Sequence, residues 1–426
     1  MWVGVYQYDE KVSPSLACDR AKLACDQAKK QPEHSWCLYT SAMQEKEELK
    51  QYLIDHLDEA IEKHYLQVYY QPVIRTLTGR LCGAEALIRW IDPVKGFLSP
   101  GDFIPLFEEM NLSYKVDRYV IQEVTCGRID KGEKLVPVSI NLSRADFQMM
   151  DPLTELNQAM RKNGLRWSLV RVEITESALS KDVAGLKRAI HNFRQAGYEV
   201  WMDDFGSDYS FLNYLKNFEF DEIKLDMIFM KDFDEASKKI LTACVKMAKD
   251  LGIHTLAEGV ETKQQLDFLQ SIGCERIQVF YYSKPLPTGE FAKLVAEKGI
   301  EIENWQQSKF YQCVGLVDLA SDKPTCLALD DGSHFRLLYV NEEFQKEVKR
   351  APAVFKQIVN EWNKPESEIA KRLHAFAQKV DQGEASYFDF KQTEQYLRLS
   401  AQQIARHENY QMLLINVSDI TVQYLK

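Results

Sequence analysis

Residues 170–204 read VRVEITESALSKDVAGLKRAIHNFRQAGYEVWMDD. A short apolar run opens this stretch, an amphipathic helical segment follows, and a second apolar run closes it. This order is typical of a strand–helix–strand unit. The stretch therefore predicts a fold in which strands and helices alternate.

The same alternation recurs along residues 68–287, where amphipathic helical stretches of about 10–20 residues lie between β-rich runs. The runs are VYYQPVI (68–74), LCGAEALI (81–88), VPVSINL (136–142), VRVEITE (170–176), YEVWMDD (198–204), FDEIKLD (220–226), HTLAEGV (254–260) and RIQVFYY (276–282). Eight strands that alternate with helices predict an α/β fold, a (β/α)8 barrel of the TIM type. A capping serine at Ser99 and a first-turn proline at Pro100 predict a helix start.

Composition limits the class of protein. The chain has 426 residues, 45% of them apolar and 27% charged, which excludes a disordered or collagen-like chain. Its 53 basic and 63 acidic residues give a net charge of −10, which is unsuited to holding a nucleic-acid polymer by its phosphates. A small anionic substrate is compatible with this charge if a bound metal supplies positive charge locally.

The same composition predicts the cellular compartment. No apolar run reaches the 18 or so residues that a membrane helix needs, and the N-terminus MWVGVYQYDE lacks signal-peptide features. The nine cysteines are odd in number and form no CxxC pair, so they indicate neither a disulfide framework nor a zinc ribbon. We therefore expect no membrane segment in this chain and a reducing, cytoplasmic location.

The barrel is expected to span residues 67–295, and its flanks have patterns of their own. Residues 1–45 contain one strand and one helix, too little for an independent core. Residues 46–66 predict an amphipathic helix that is either an ordinary packed helix or a signalling connector. Residues 300–426 mix strands with two helices and predict a separate α+β domain.

Polar side chains recur where the predicted barrel strands end. In a (β/α)8 barrel the carboxyl ends of the strands meet at one face, so residues distant in sequence converge there. Apart from the first interval, which would span two helices, the gaps between these positions fit one strand–helix unit each. The positions are Glu85, Asn141, Glu173, Asp203 together with its neighbour Asp204, Lys224, Glu258 and Gln278.

Carboxylates dominate this predicted face. Like charges in contact raise one another's pKa, so these groups either scatter to the surface or hold a cation. Oxygen ligands without histidine favour Mg²⁺ or Mn²⁺ over zinc. The neighbouring Asp203 and Asp204 are placed to bridge two ions, and a two-metal clamp is the standard device for phosphodiester hydrolysis.

Nine motifs follow one another between residues 69 and 287: YYQP, CGAEALIRW, SPGDFIPLFEE, VSINLS, VEITES, MDDFG, EIKLD, AEGVE and IQVFYYSKP. In this order and spacing they resemble the EAL domain family, bacterial phosphodiesterases that open the second messenger cyclic di-GMP to linear pGpG. The tripeptide Glu85-Ala86-Leu87 alone would carry little weight. The combination is specific and covers about half of the chain.

The resemblance implies a role for each matching residue. The metal ligands would be Glu85, Asn141, Glu173, Asp203, Asp204 and Glu258, which would hold two Mg²⁺ or Mn²⁺ ions. The catalytic set would be Lys224, Asp226, Glu258 and Glu176, where Lys224 orients the attacking water and Glu176 steadies the loop after Asp204. Substrate contacts would come from Gln71, Arg89 and Gln278. The resemblance also implies a homodimer formed through the barrel.

Three residues depart from the family pattern. Asp208 and Phe211 replace a glycine and a serine in the loop after the aspartates, and Val279 replaces the glycine after Gln278. Asp208 adds negative charge near an anionic substrate, and aspartate tolerates a left-handed backbone less well than glycine. These changes are expected to weaken turnover.

Three hypotheses follow from these residues. The complete ligand set favours a metal-dependent cyclic di-GMP phosphodiesterase. The main alternative is a receptor that binds cyclic di-GMP without turnover and signals through the C-terminal domain. A barrel that only docks other proteins is disfavoured, because Gln71 and Arg89 are retained.

The flanks carry weaker resemblances. GVYQYDE and CDRAKLACDQAKK resemble the closing strand and helix of a GGDEF domain, although the chain has no GG[DE]EF sequence and no cyclase activity is expected from it. LLYVNEEFQKE and LLINVSDITVQ resemble the opening and closing strands of a PAS domain, with a generic α+β domain as the alternative.

Overall fold

A computed structural model describes residues 1–30, 35–126, 136–175, 183–206, 211–279, 283–347, 359–392, 395–408 and 410–424. The chain divides into two compact units. One comprises Met1–Gln67 and Ile88–Val116, and the other comprises Val68–Leu87 and Asp117–Lys426.

The helices and strands have the following bounds. The strands are β1 Val3–Val5, β2 Trp36–Leu38, β3 Leu66–Arg75, β4 Leu81–Asp92, β5 Gly96–Leu98, β6 Val138–Leu142, β7 Val170–Thr175, β8 Glu199–Phe205, β9 Glu222–Leu225, β10 His254–Val260, β11 Arg276–Val279, β12 Leu286–Pro287, β13 Thr325–Asp330, β14 Phe335–Val340, β15 Tyr387–Gln392, β16 Gln395–His407 and β17 Tyr410–Asp419. The helices are α1 Pro14–Lys30, α2 Ser41–Glu62, α3 Pro100–Glu109, α4 Ser113–Cys126, α5 Arg144–Met149, α6 Pro152–Lys162, α7 Val183–Ala196, α8 Phe211–Asn217, α9 Ile228–Lys231, α10 Glu235–Asp250, α11 Lys263–Ser271, α12 Thr288–Glu297, α13 Trp305–Gly315, α14 Glu342–Glu347, α15 Glu368–Asp381 and α16 Thr421–Tyr424.

The first unit contains the predicted amphipathic helix. It is α2, and its apolar stripe is buried at Leu53 and Leu57. α3 begins at the predicted position because the Asp102 carboxylate accepts the Ser99 N–H at 2.9 Å and forms a capping box with it. Near the N-terminus the short strands β1 and β2 pair in parallel.

Eight strands of the chain close into a ring in the order β3, β4, β6, β7, β8, β9, β10, β11, and β11 pairs back with β3. This ring confirms the predicted (β/α)8 barrel. Seven of its strands are parallel, but β3 runs antiparallel to β11. Only residues 76–80 connect β3 to β4, which is too short for the crossover that a parallel pair requires.

The helices of the barrel are amphipathic, and their apolar faces pack on the strands. In α7, for example, Leu186, Ile190 and Phe193 are buried, at the spacing of one helix face. Two helices, α3 and α4, separate β4 from β6 in the chain, as the long first interval predicts.

Charged side chains fill the amino-terminal end of the barrel interior. We call this set the floor: Arg75, Arg171, Glu222 and Arg276, each at most 3% exposed. Arg276 pairs with Glu222, and the guanidiniums of Arg171 and Arg276 lie 4.7 and 5.4 Å from the ring centroid of Trp201. Because side chains two residues apart share a strand face, the floor lies directly beneath Glu173, Lys224 and Gln278.

The segment that follows the barrel contacts this floor. Glu303 accepts two hydrogen bonds from Arg75, at 2.8 and 2.9 Å, and both side chains are about 1% exposed. From α13, Gln312 donates to Glu199 at 2.8 Å, and Glu199 pairs with Arg171 at 3.2 Å. The floor charges are therefore satisfied partly by residues beyond the barrel.

The C-terminal region forms a five-stranded antiparallel sheet in the order β14-β13-β17-β16-β15. The β-rich runs FRLLYVN, YLRLSAQQI and YQMLLINV of this region form β14, β16 and β17. Two further strands, β13 and β15, complete the sheet. Along the chain β13 comes first, so LLYVN, expected in the opening strand of the domain, belongs to the second strand, β14. Phe335, Phe344, Leu373 and Leu413 belong to the core between the sheet and its helices.

Among the helices of the described residues, none has the length and apolar character to span a membrane.

Candidate metal centre

The predicted polar residues converge at the carboxyl end of the barrel. Six lie on successive ring strands: Glu85 on β4, Asn141 on β6, Glu173 on β7, Asp203 on β8, Lys224 on β9 and Glu258 on β10. Gln278 on β11 completes the set. The strands place them together because each side chain points into the barrel near the end of its strand.

Lys224 lies at the centre of this cluster. Its ammonium is 2.7 Å from Glu173 Oε2, 2.7 Å from Glu258 Oε1 and 2.8 Å from Asp203 Oδ1. Glu85 Oε2 lies slightly further away, at 3.4 Å. Lys224 is only 1% exposed, so one desolvated cation holds four carboxylates.

Two amides orient Glu85. Asn141 Nδ2 donates to Glu85 Oε1 at 2.9 Å, and Gln278 Nε2 donates to Glu85 Oε2 at 2.6 Å. Both carboxylate oxygens of Glu85 therefore have donors, and Asn141 presents its own oxygen elsewhere. Gln278, expected to contact substrate, is thus joined to a predicted metal ligand.

Two β-bulges bring further carboxylates to the cluster. Between β8 and β9, the pairs Met202–Ile223 and Phe205–Leu225 leave Asp203 and Asp204 together opposite Lys224. Asp204 adopts a left-handed backbone with φ of 56°. Consecutive strand residues ordinarily point to opposite faces, but a bulge re-aims a side chain, so both aspartates serve the same site.

The second bulge lies one strand further round the ring. The pairs Ala257–Ile277 and Val260–Val279 leave Glu258 and Gly259 opposite Gln278. Gly259 has φ of 67°, a conformation that glycine adopts without strain. The bulge places Glu258 at the strand end, where it meets Lys224.

The carboxylates form two overlapping groups of candidate ligands. In Glu85, Glu173 and Asp203, one oxygen from each side chain lies within 4.8 Å of the others. Asp203, Asp204 and Glu258 form a second group by the same distance. Asp203 belongs to both groups, so the geometry suits two neighbouring cations that share one ligand.

The crowding of acids shifts their titration. Burial and the neighbouring Glu85 raise the pKa of Glu173 well above its ordinary value. Burial raises the pKa of Glu258 to about 8, and burial with Asp203 raises that of Asp204 to about 6. Burial opposes ionisation of Glu85 too, but Lys224 and the two amides outweigh it and lower its pKa. Lys224 alone does not neutralise the cluster.

The residues present fit divalent cations. The donors are carboxylate and amide oxygens, which Mg²⁺ and Mn²⁺ prefer. Among the described residues, Glu173 Oε1 and Asn141 Oδ1 are buried oxygens without a hydrogen-bond partner. A buried oxygen of this kind is costly unless a hydrogen-bond donor or a cation binds it. The described residues thus contain an acidic cluster able to hold metal.

The other predicted site residues are placed as follows. Asp226 lies just after β9, where its carboxylate accepts the Ile228 N–H at 2.6 Å instead of joining the ion pairs of Lys224. Gln71 is buried on β3, which is antiparallel, so the early part of that strand reaches the carboxyl end of the barrel. Arg89 is half-buried on β4 and donates to the Ile88 carbonyl at 2.7 Å.

The remaining predicted residues lie in, or next to, segments of the chain that the structure does not describe. Glu176 and Asp208 lie outside the described residues. Phe211 lies in α8 and Val279 in β11, but their side chains are not among those described. Their predicted effects stay predictions.

Sequence reasoning missed the floor and the two bulges. Arg171, Glu222 and Arg276 each precede a predicted site residue by two positions, so the alternation that located the site also points to them. The sequence signal for the bulges was a glycine soon after the acidic residues, Gly206 in DDFG and Gly259 in AEGVE. Both glycines have positive φ in the structure.

These geometric features belong to a known class of protein. The EAL domain family matches residues 54–285, more than half of the chain, and the chain belongs to this family. The resemblance found in the motifs is thereby confirmed for the barrel.

Particular relatives extend the comparison. The chain is 30% identical over 300 residues to the bifunctional diguanylate cyclase/cyclic di-GMP phosphodiesterase MucR of Pseudomonas aeruginosa. The aligned region covers 69% of this chain and 44% of MucR. It is 33% identical over 297 residues to the cyclic di-GMP phosphodiesterase PdeR of Escherichia coli. This aligned region covers 68% of this chain and 45% of PdeR. The chain therefore spans less than half the length of these two relatives.

A solved structure is similar as well. The PaMucR phosphodiesterase in complex with c-di-GMP matches at a TM-score of 0.53 and 31% sequence identity. The match covers 56% of this chain and 99% of that chain.

Proposed function

We propose that this protein hydrolyses cyclic di-GMP to linear pGpG with two divalent cations, Mg²⁺ or Mn²⁺. The observation that carries the proposal is the pair of oxygen groups that share Asp203. Support comes from the relatives named as cyclic di-GMP phosphodiesterases and from the structure of one with c-di-GMP bound.

Six residues would hold the cations: Glu85, Asn141, Glu173, Asp203, Asp204 and Glu258. When bound, the cations supply Lewis-acid chemistry, which activates a water molecule and stabilises charge on the phosphate oxygens. The bulge at Asp203 and Asp204 suits this arrangement because it turns two consecutive carboxylates toward one site.

Lys224 would act on the attacking water and on the phosphate rather than hold a cation. Its ammonium has three N–H donors and is buried among the ligands, so it can orient the attacking water and stabilise charge that develops at phosphorus. Burial strengthens this contribution, because water does not screen the charge.

Three residues would recognise the substrate. The planar fork of Arg89 donates two hydrogen bonds to a phosphate, and Gln71 would add an amide at the end of β3. Gln278 would act indirectly as well, because it holds Glu85 in place. Glu176 and Asp226 keep their proposed catalytic roles in support of the loop and the turn beside the aspartates.

The proposal extends to the flanks. We take residues 300–426 as a PAS-like regulatory domain, supported by the five-stranded antiparallel sheet and its helices. The parallel pair β1 and β2 with α1 is consistent with a GGDEF-like remnant within residues 1–45, followed by the connector helix of 46–66. We further propose a homodimer through the barrel (residues 67–295) and a place in the bacterial cytoplasm, where the second messenger acts.

One assay tests the function. The protein is freed of metal, mixed with cyclic di-GMP and Mg²⁺ or Mn²⁺, and the products are separated by chromatography. Formation of pGpG supports the proposal. Tight binding of intact cyclic di-GMP without pGpG would replace it with the receptor hypothesis, and neither binding nor turnover would remove both.

A further inference from the structure

A short segment after β9 lies against both bulges of the metal centre. It comprises residues 227–230, begins three residues after Lys224, and includes most of α9. Met227 and Ile228 are exposed, Phe229 is half-buried and Met230 is buried. Contacts of this segment with two glycines reveal its role.

The first contact is between Phe229 and Gly206. Gly206 follows Asp203 and Asp204 in the chain and has φ of 103°. A Cβ atom on Gly206 would lie 2.4 Å from Phe229 Cζ, closer than any real contact. The ring therefore rests directly on the backbone of Gly206.

The second contact is between Met227 and Gly259. Gly259 forms the second bulge together with Glu258 and has φ of 67°. A Cβ atom there would lie 2.6 Å from Met227 Cβ and 3.2 Å from Met227 Cα. Side chain and backbone of Met227 thus cover the turn that presents Glu258.

Hydrogen bonds fasten the segment at both ends. Before it, the Asp226 N–H donates to the Phe205 carbonyl at 3.3 Å, and the Asp226 carboxylate accepts the Ile228 N–H at 2.6 Å. After it, Gln265 donates to the Met230 carbonyl at 3.0 Å. The segment is therefore held on β8 on one side and on α11 on the other.

We propose that Phe229 and Met227 are positioning residues that hold the two bulges, and with them Asp203, Asp204 and Glu258, in the geometry of the metal centre. The left-handed backbone of Asp204 is sparsely populated for a residue with a side chain, and such a conformation persists only where its surroundings impose it. Phe229 packs on Gly206, two residues after Asp204, and Met227 packs on Gly259, next to Glu258, so each residue braces the backbone of one bulge. This inference rests on the proposed function, since it concerns ligands of the proposed cations.

The test compares single variants of the full chain. Phe229→Ala removes the ring from Gly206, and Phe229→Leu keeps an apolar contact. The matched control is Phe233→Ala, because Phe233 lies two residues past α9, packs edge-on against Phe268 at 5.4 Å, and is not among the residues nearest to either glycine. Mn²⁺ binding to metal-free protein is followed by electron paramagnetic resonance of the free ion.

Phe229→Ala is expected to weaken Mn²⁺ binding about 10–100-fold, the range seen when residues that orient metal ligands are changed. Its kcat should fall and recover partly at high Mn²⁺, while the KM for cyclic di-GMP changes little. Phe229→Leu keeps an apolar contact but lacks the ring atoms that lie on Gly206, so it should lose Mn²⁺ affinity by a smaller factor, whereas Phe233→Ala should match the wild type. Circular dichroism verifies that each variant is folded, and Phe229→Leu against Phe233→Ala decides the question if Phe229→Ala does not fold.

Three outcomes of these measurements would contradict one or both proposals. Unchanged Mn²⁺ affinity in Phe229→Ala, even with a lower Tm, would overturn the positioning role and leave the phosphodiesterase proposal intact. Wild-type protein that binds Mn²⁺ but forms no pGpG would overturn the phosphodiesterase proposal, while a selective loss in Phe229→Ala would still support positioning. Wild-type protein that binds no Mn²⁺ would overturn both.

Discussion

Lys224 and Glu173 form an ion pair of 2.7 Å in the barrel interior, where neither side chain is more than 1% exposed. A buried pair gains from the low dielectric but loses the hydration of both charges, so removal of one partner is costly. Here Glu173 also has other carboxylates as neighbours, which makes Lys224 the cation on which the cluster depends.

Substitution Lys224→Ala is expected to lower kcat by about 10²–10³, because it removes the cation that orients water and stabilises charge at phosphorus. Binding of cyclic di-GMP should stay within a few-fold of the wild type, since Arg89 and Gln71 are untouched. Calorimetric binding and steady-state kinetics measure the two effects, with Lys231→Ala on α9 as the exposed control. A variant with near-normal kcat would remove Lys224 from the mechanism.

Removal of metal is expected to abolish hydrolysis, and Mg²⁺ or Mn²⁺ should restore it. Ca²⁺ should bind to the same oxygens but support little turnover, since its looser geometry positions water poorly. Product formation in excess EDTA, followed by titration of each ion, provides the measurement. Undiminished activity in EDTA would contradict a metal mechanism.

The shared ligand predicts a difference between neighbouring aspartates. Asp203 lies in both oxygen groups and Asp204 in one, so Asp203→Asn should lose both tightly bound ions, whereas Asp204→Asn should keep one. Metal content after gel filtration in dilute Mn²⁺ counts the ions per chain. Equal loss in both variants would mean that the two groups are not separate sites.

The charge interactions of Glu199 are expected to make the free energy of unfolding depend on pH. Burial opposes its ionisation, but Arg171 and Arg276 outweigh burial and lower its pKa to about 2. A depressed carboxyl pKa stabilises the fold fully above the unfolded value near 4.5, and this contribution disappears as pH falls toward 2. Glu199→Gln should therefore lower the free energy of unfolding by on the order of 2 kcal/mol at pH 7.

Urea unfolding at pH 7 and pH 3 measures this effect. The deficit of Glu199→Gln should shrink at pH 3, and the exposed Glu297→Gln should show little deficit at either pH. An equal deficit at both values would trace the effect to packing rather than charge.

Glu303 and Glu301 allow a matched comparison of buried and exposed ion pairs. Glu303→Gln leaves a buried guanidinium with one charged partner fewer and should cost on the order of 3 kcal/mol in stability. Glu301→Gln disrupts the pair with Arg80, in which the glutamate is 70% exposed, and should cost less than about 1 kcal/mol. Denaturant midpoints of the two variants measure the two losses in stability. Similar losses would contradict the expectation that the buried pair contributes more than the exposed pair.

Much of the site follows from strand periodicity alone. Glu173, Lys224 and Gln278 end predicted strands on inward-facing positions, so their convergence is predictable once the barrel is recognised. The direction of β3 was also within reach, because five connecting residues admit a hairpin but no crossover helix.

Other features lie beyond such reasoning. A bulge adds one residue and breaks the period of two, so strict alternation would turn Asp204 away from Asp203. The pairing of Arg75 with Glu303 joins residues 228 positions apart, and no local pattern links them. Contacts of this kind arise only when the whole chain has packed.

The pairing of Arg75 with Glu303 also bears on how such a chain can change over generations. The match to the EAL family ends at residue 285, yet a counter-ion of a buried barrel arginine lies at residue 303. A recombination that joined this barrel to a different downstream segment would remove one of the two carboxylates that pair with this buried guanidinium and leave it with Glu275. We therefore expect the barrel and the segment that carries Glu303 to be inherited together, and a descendant that loses the acid at 303 to replace the arginine at 75 as well.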